Sequence, residues 1–202
     1  MSETSNVQGI ELLTLSHDRL RAVVAGVPEN AWSAPTPCDE WTVAQVLNHA
    51  RLDQQAYGAA VTGTGWPESD AFHPDDALES DAAASLDKVL AQVADVYAGL
   101  AADAPEVATP LGPLPFPVAA AAAAMDAGVH AWDIAVATGQ ASPLDDALAD
   151  GIRLAADRLA GHLRDAYGVF APAREVPEAA GRPESLLAFL GRDPYWTPAV
   201  RP

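Results

Sequence analysis

Apolar residues recur at intervals of three and four along several segments of this chain, and prolines and glycines separate those segments. A period near 3.6 specifies an α-helix with one apolar stripe, which must be buried against another element. Ile10, Leu13, His17, Leu20 and Val24 mark a first helix from about Val7 to Ala25, ended by Gly26 and Pro28. The segment from Ser33 to Glu40 cannot be helical, because Pro35 and Pro37 remove donors and restrict the residues before them. A second helix starts at Thr42, which forms a capping box with Gln45, with Trp41 available as a hydrophobic staple. Val43, Val46, Leu47 and Ala50 supply its stripe, and it is expected to reach Ala60 and stop at Gly63 to Gly65.

Residues 66–78 read as an acidic loop, and a third helix follows from about Asp81 to Ala101, with Leu86, Val89, Leu90, Val93, Tyr97 and Leu100 inward. Five prolines and one glycine between Ala104 and Pro117 predict an extended or turn-rich crossover. A fourth helix is expected from about Val118 to Thr138 with Gly139 as its stop, a fifth from Asp145 to Tyr167, and a short one around Glu184 to Leu190. Strand signals are almost absent. The fold class is therefore all-α, a four-helix bundle of residues 1–140 with a C-terminal helical extension, residues 141–202, packed on the same domain. The long third connection suits a bundle that is not simply up-down-up-down.

Composition narrows the partners. Eleven basic residues against 28 acidic ones give a formal charge of −17, a surface that repels nucleic acid and anionic lipid. No apolar run reaches membrane-spanning length, and the N-terminus lacks the basic and apolar blocks of a secretory signal, so a cytoplasmic location is expected. Cys38 is the single cysteine, which excludes an internal disulfide and a cysteine-built zinc cage. Any metal must rest on histidine and carboxylate.

Such a set is present. Asp126 and His130 lie four apart, one turn along the same helical face, and His49 lies two turns into the capped second helix. Three side-chain ligands with a fourth position open is the arrangement of catalytic rather than structural zinc. Asp53 and Gln45, four residues either side of His49, are candidates for the cleft or for bracing a ligand, although Asp53 reads first as an exposed acid. His17 lies on the apolar stripe of the first helix and reads as a core or cleft-wall histidine. Arg51 turns away from His49 toward the surface. His73 and His162 read as structural or solvated, Cys38 and Trp132 as packing residues, and Asp133 as a local hydrogen-bond or salt-bridge residue. Trp66, Phe72 and Phe116 fall in connections, where they line a substrate mouth or cover the bundle end.

The run from Pro35 to Val43 with Leu47, Asn48 and His49, the run from Val129 to Gly139, and the segment from Leu186 to Pro194 together resemble the DinB/YfiT-like superfamily. The resemblance is to its actinobacterial branch, near the mycothiol-dependent maleylpyruvate isomerase N-terminal domain. It implies a four-helix bundle holding a divalent metal, with the ligand positions falling on His49, Asp126 and His130. Zinc is the first expectation, with nickel or iron as alternatives. The chain carries Asp126 where the isomerase carries Glu. The resemblance further implies an enzyme that uses mycothiol to transfer to, or isomerise, a small electrophile. Two alternatives stay open: a thiol-independent metal-dependent hydrolase, cyclase or isomerase of secondary metabolism, and a non-catalytic binding or stress protein of the same fold. A small-molecule substrate is expected, and a homodimer stays open.

Overall fold

The computed structural model describes residues 3–38, 41–100 and 104–198. Six α-helices run in chain order: α1 Glu3–Ala25, α2 Val43–Thr62, α3 Ala82–Ala98, α4 Phe116–Ala137, α5 Asp146–Tyr167 and α6 Arg182–Phe189. Helix α1 packs against α3 and α4, and α2 packs against the same two, so the four close a ring in the order α1–α4–α2–α3. Chain neighbours α1 and α2 thus sit diagonally, as do α3 and α4. This is the departure from up-down-up-down order that the long connection foretold. Helix α5 lies on α4, and α6 lies on α5.

Helix α4 is the centre of the molecule. Ala119 to Ala124 have no exposure at all, and a helix apolar all round has to be covered on every side. Small side chains permit the cover to come close. A Cβ added at Gly9 of α1 would stand 3.1 Å from the Ala120 Cβ, so these two positions set the approach of α1 to α4. Leu148, Ile152, Leu159 and Leu163 of α5 face inward, each contributing roughly 1.5–3 kcal/mol through burial.

Local signals fix the ends. The capping box forms as expected: Gln45 N–H donates to Thr42 Oγ1 at 3.3 Å, and Thr42 N–H donates to Gln45 Oε1 at 3.0 Å. Helix α2 runs two residues past Ala60 and ends on Gly63, whose φ of 75° is the left-handed conformation glycine adopts without strain. Asp81 caps α3 rather than starting it, and the expected end at Ala101 lies outside the described residues, as do Asp39 and Glu40 of the proline-rich run.

The crossover before α4 departs from an all-helical chain and holds the one sheet among the described residues. Strands β1 (Glu106–Thr109) and β2 (Gly112–Pro115) form an antiparallel hairpin, with Val107 opposite Leu114 and Gly112 in a left-handed turn. Its prolines argued against strand, but both members of a two-stranded ribbon are edges, where a proline needs no ladder partner. Buried Val107 seats the hairpin on α2 and α4. Helix α4 begins at Phe116, two residues early, because Pro117 in the first turn gives up an N–H that has no helical acceptor. Phe116 is therefore a core residue, edge-on to Tyr97 at 6.3 Å, and not part of a substrate mouth.

Candidate metal centre

Helices α2 and α4 are neighbours in the ring, and their facing sides bring His49, Asp126 and His130 together. One ligand atom from each lies within 4.8 Å of the others. Asp126 Oδ1 stands 3.7 Å from His49 Nε2 and 3.6 Å from His130 Nε2. These separations exceed hydrogen-bond length, and they approach the ~3.4 Å between ligands arranged tetrahedrally ~2.1 Å from a zinc ion. The shorter Asp side chain therefore reaches both imidazoles. The two rings meet edge-on with centroids 4.7 Å apart.

Each imidazole is fixed from behind. His49 Nδ1–H donates to the Ala71 carbonyl at 2.7 Å, and because a carbonyl only accepts, this bond selects the tautomer whose lone pair lies at Nε2. His130 Nδ1–H donates to Asp133 Oδ2 at 2.9 Å, with the same consequence. Burial lowers the His130 pKa to about 4 despite the pull of Asp133, so the ring is neutral at pH 7. Asp126 Oδ2 accepts from Gln54 Nε2 at 2.7 Å, which turns Oδ1 toward the two histidines. Burial raises the Asp126 carboxyl well above the ordinary carboxylate value, and the nearby Asp53 charge adds to it. A buried carboxylate between two imidazole lone pairs calls for a cation, and nitrogen and oxygen donors suit zinc and its divalent neighbours. The residues fit the metal.

The other sequence candidates separate. Asp53 is no exposed acid: it lines the cleft beside the cluster, its Oδ2 is 3.6 Å from His49 Nε2, and burial raises its pKa while His49 draws it down. Gln45 also lines the cleft, but its side chain is spent on the cap and on the Pro74 carbonyl. His17 is fully buried with its Nε2–H on Gln54 Oε1 at 2.9 Å, a core histidine one residue removed from Asp126. Arg51 points to Glu79 on the surface. Phe72 lines the cleft, whereas Trp66 is half exposed and does not. His73 stands exposed at the cleft mouth, paired with Asp70. His162 is exposed against Tyr167.

Three contributors lay beyond sequence reasoning: Gln54, the Ala71 carbonyl and Arg192. Asp133, expected to make a local bond, also binds Arg192 at 3.1 Å, and both are buried. Burial alone would raise the Asp133 carboxyl, but Arg192 and His130 outweigh it and hold it below its ordinary value. Gly191 delivers Arg192 to this position. It turns the chain after α6 at φ 84°, and a Cβ there would stand 2.5 Å from the Ala171 carbonyl oxygen, so only glycine fits. The Gly191-Arg192-Asp193-Pro194 run was visible in sequence, but its partner 59 residues upstream was not.

The cluster opens into a cleft of about 670 Å³. Trp41 forms part of its wall, with its ring centroid 4.7 Å from that of His49, and the Tyr57 hydroxyl is held in its protonated form by burial. Among the described residues no helix is long and apolar enough to cross a membrane.

Two proteins from two strains of Mycobacterium tuberculosis, both described as uncharacterized, are 30% identical to this chain over 178 residues, 88% of this chain and 93% of theirs. The fold matches a crystal structure of a histidine-to-alanine variant of mycothiol-dependent maleylpyruvate isomerase with a TM-score of 0.55 at 15% identity, over 81% of this chain and 72% of that one. The fold is thus a DinB/YfiT-like bundle with α5 and α6 added to the four-helix core. Residues 13–135 match the family described as the mycothiol maleylpyruvate isomerase N-terminal domain, and this chain belongs to that family.

Proposed function

We propose that this chain is a metal-dependent enzyme that uses a low-molecular-weight thiol, mycothiol, to transfer to or isomerise a small electrophile. The observation that carries the proposal is the pair of imidazoles already bonded at Nδ1, with both Nε2 atoms and one Asp126 oxygen gathered at the head of a cleft. His49, Asp126 and His130 would hold a divalent ion, zinc first by its donor set, which supplies Lewis-acid chemistry and lowers the pKa of a thiol or water at its open position.

The chain's own residues do the rest. The Ala71 carbonyl and Asp133 hold the imidazole tautomers, the orienting role that such partners play in metal sites. Gln54 keeps one Asp126 oxygen occupied and the other directed at the histidines. Asp53 is placed to accept a hydrogen bond, and then the proton, from a thiol entering the cleft. Trp41 and Tyr57 narrow the space around it and limit water. Residues 1–140 would then be the metal-binding unit, and residues 141–202 an extension whose Arg192 braces Asp133. The mycothiol dependence in the names of the family and of the structural relative supports the choice of thiol.

The test is conjugation of mycothiol to a model electrophile by protein reconstituted with zinc. Turnover that requires both zinc and the thiol is expected. Consumption of the electrophile that needs the metal but not the thiol would replace this proposal with a thiol-independent hydrolase or isomerase, and no rate above background with any divalent metal would reject the thiol-using enzyme.

A further inference from the structure

We infer that the cleft selects an uncharged, largely apolar co-substrate and discriminates against carboxylates, the dianionic ones above all. The inference rests on the proposed function only for the reaction; the selectivity belongs to the cleft walls.

Two independent features of the cleft lead there. The first is charge. Among the described residues, Arg192 is the one arginine or lysine lining the cleft, and its charge is paired with the buried Asp133. Its Nη2 donates to Asp133 Oδ2 at 3.1 Å and approaches Cys38 Sγ at 3.7 Å, and its Nε is 3.5 Å from Asp133 Oδ1. His73, at the mouth, is paired with Asp70 at 2.8 Å. Against these stand Asp53 and Asp126, two carboxyl groups gathered at the head of the same cleft. A substrate carboxylate would enter beside these two acids, beneath a surface of net charge −17, and every cationic side chain that lines the cleft already faces an acidic partner.

The second feature is the rim. Few large apolar side chains are exposed among the described residues, and three of them, Phe72, Leu111 and Tyr167, border this one opening. They come from unrelated places: the loop after α2, the hairpin turn and the end of α5. Exposed apolar groups that converge on one mouth mark a ligand surface. Met125 and Val129, from the turns of α4 around Asp126, continue the apolar lining inward. A neutral aromatic or alkyl body bearing one electrophilic carbon is what such a space accommodates.

Dimethyl phthalate and the phthalate dianion share one ring and differ in charge, and neither alkylates Cys38. Their binding is measured by titration calorimetry to zinc-loaded and metal-free protein, with zinc content determined on the same samples. The diester is expected to bind about tenfold or more tightly than the dianion in both forms, as desolvating unpaired carboxylates requires. Phe72→Arg, at a side chain exposed enough to leave folding untouched, is expected to narrow that gap at least about threefold by placing a cation at the rim. Equal or tighter binding of the dianion to the wild type would overturn the inference, as would failure of both compounds to bind up to their solubility limits. Protein that holds no zinc yet prefers the diester would reject the proposed function and leave the inference standing.

Discussion

Two buried polar clusters meet across α2 and α4, and they use the same residue type to opposite ends. At His17, burial lowers the pKa to about 4, the ring donates its Nε2–H to Gln54, and its Nδ1 faces the core with no hydrogen-bond partner. At His130, burial has the same effect on the pKa, but Nδ1 is bonded to Asp133 and Nε2 faces Asp126 at the head of a cleft. Burial and helix position do not distinguish these two histidines. The direction of the second nitrogen does: one lone pair ends in packing, the other beside a carboxylate and a second lone pair. Gln54 joins the clusters, accepting from His17 and donating to Asp126 and the Ala123 carbonyl.

The sharpest way to break this contrast is to remove each histidine. His130→Ala should weaken zinc binding by about a thousandfold or more, since one of three ligands is lost, while His17→Leu should leave it within about tenfold. Calorimetric titration with zinc measures both, and comparable losses would erase the distinction. Next in size is the brace behind His130. Arg192→Ala leaves Asp133 as an unpaired buried charge and should cost about 3–5 kcal/mol in denaturant unfolding. A loss below about 1 kcal/mol would show that the pair is not the support it resembles.

Acid should act on both clusters alike. With folded pKa values of about 4 against an ordinary 6.5, His17 and His130 bind protons in the unfolded chain before the folded one. Their contribution is fully present above pH 6.5 and is lost as pH falls toward 4, up to about 3 kcal/mol for each group. Unfolding of metal-free protein across this range should show the loss, and His17→Leu should remove its share. A flat profile would contradict the burial of both rings. The smallest effect is expected at the link. Gln54→Leu should lower zinc affinity about 10- to 100-fold, as loss of an orienting partner does, without abolishing binding. A change under about twofold would mean that Asp126 keeps its orientation unaided.

The contrast also separates what was legible in the sequence from what was not. The helices followed from periodicity and caps, and the bundle from the need to bury four stripes. The Asp126/His130 pair followed from a spacing of four, and His49 from the motif around it. Gln54 was hidden because adjacent Gln55 is chemically identical; one is buried in the network, and the other is only partly buried and bonded to the Gly65 carbonyl. Only the ring order of the helices decides which side faces α4. Arg192 was hidden because its position depends on a left-handed turn after α6. The hairpin was hidden because prolines exclude central strands and say little about ribbons made only of edges. The expected division between residues 1–140 and 141–202 falls in the connection from α4 to α5, and apolar contacts continue across it.

The central claim is that His49, Asp126 and His130 act as one metal site. It is tested most directly by elemental analysis of protein reconstituted with zinc, comparing the wild type with His49→Ala and checking both for native helicity. One zinc ion per chain in the wild type, and loss of that ion in the folded variant, is the predicted result. A folded wild type that takes up no divalent metal, or a His49→Ala protein that keeps a full equivalent, would contradict it.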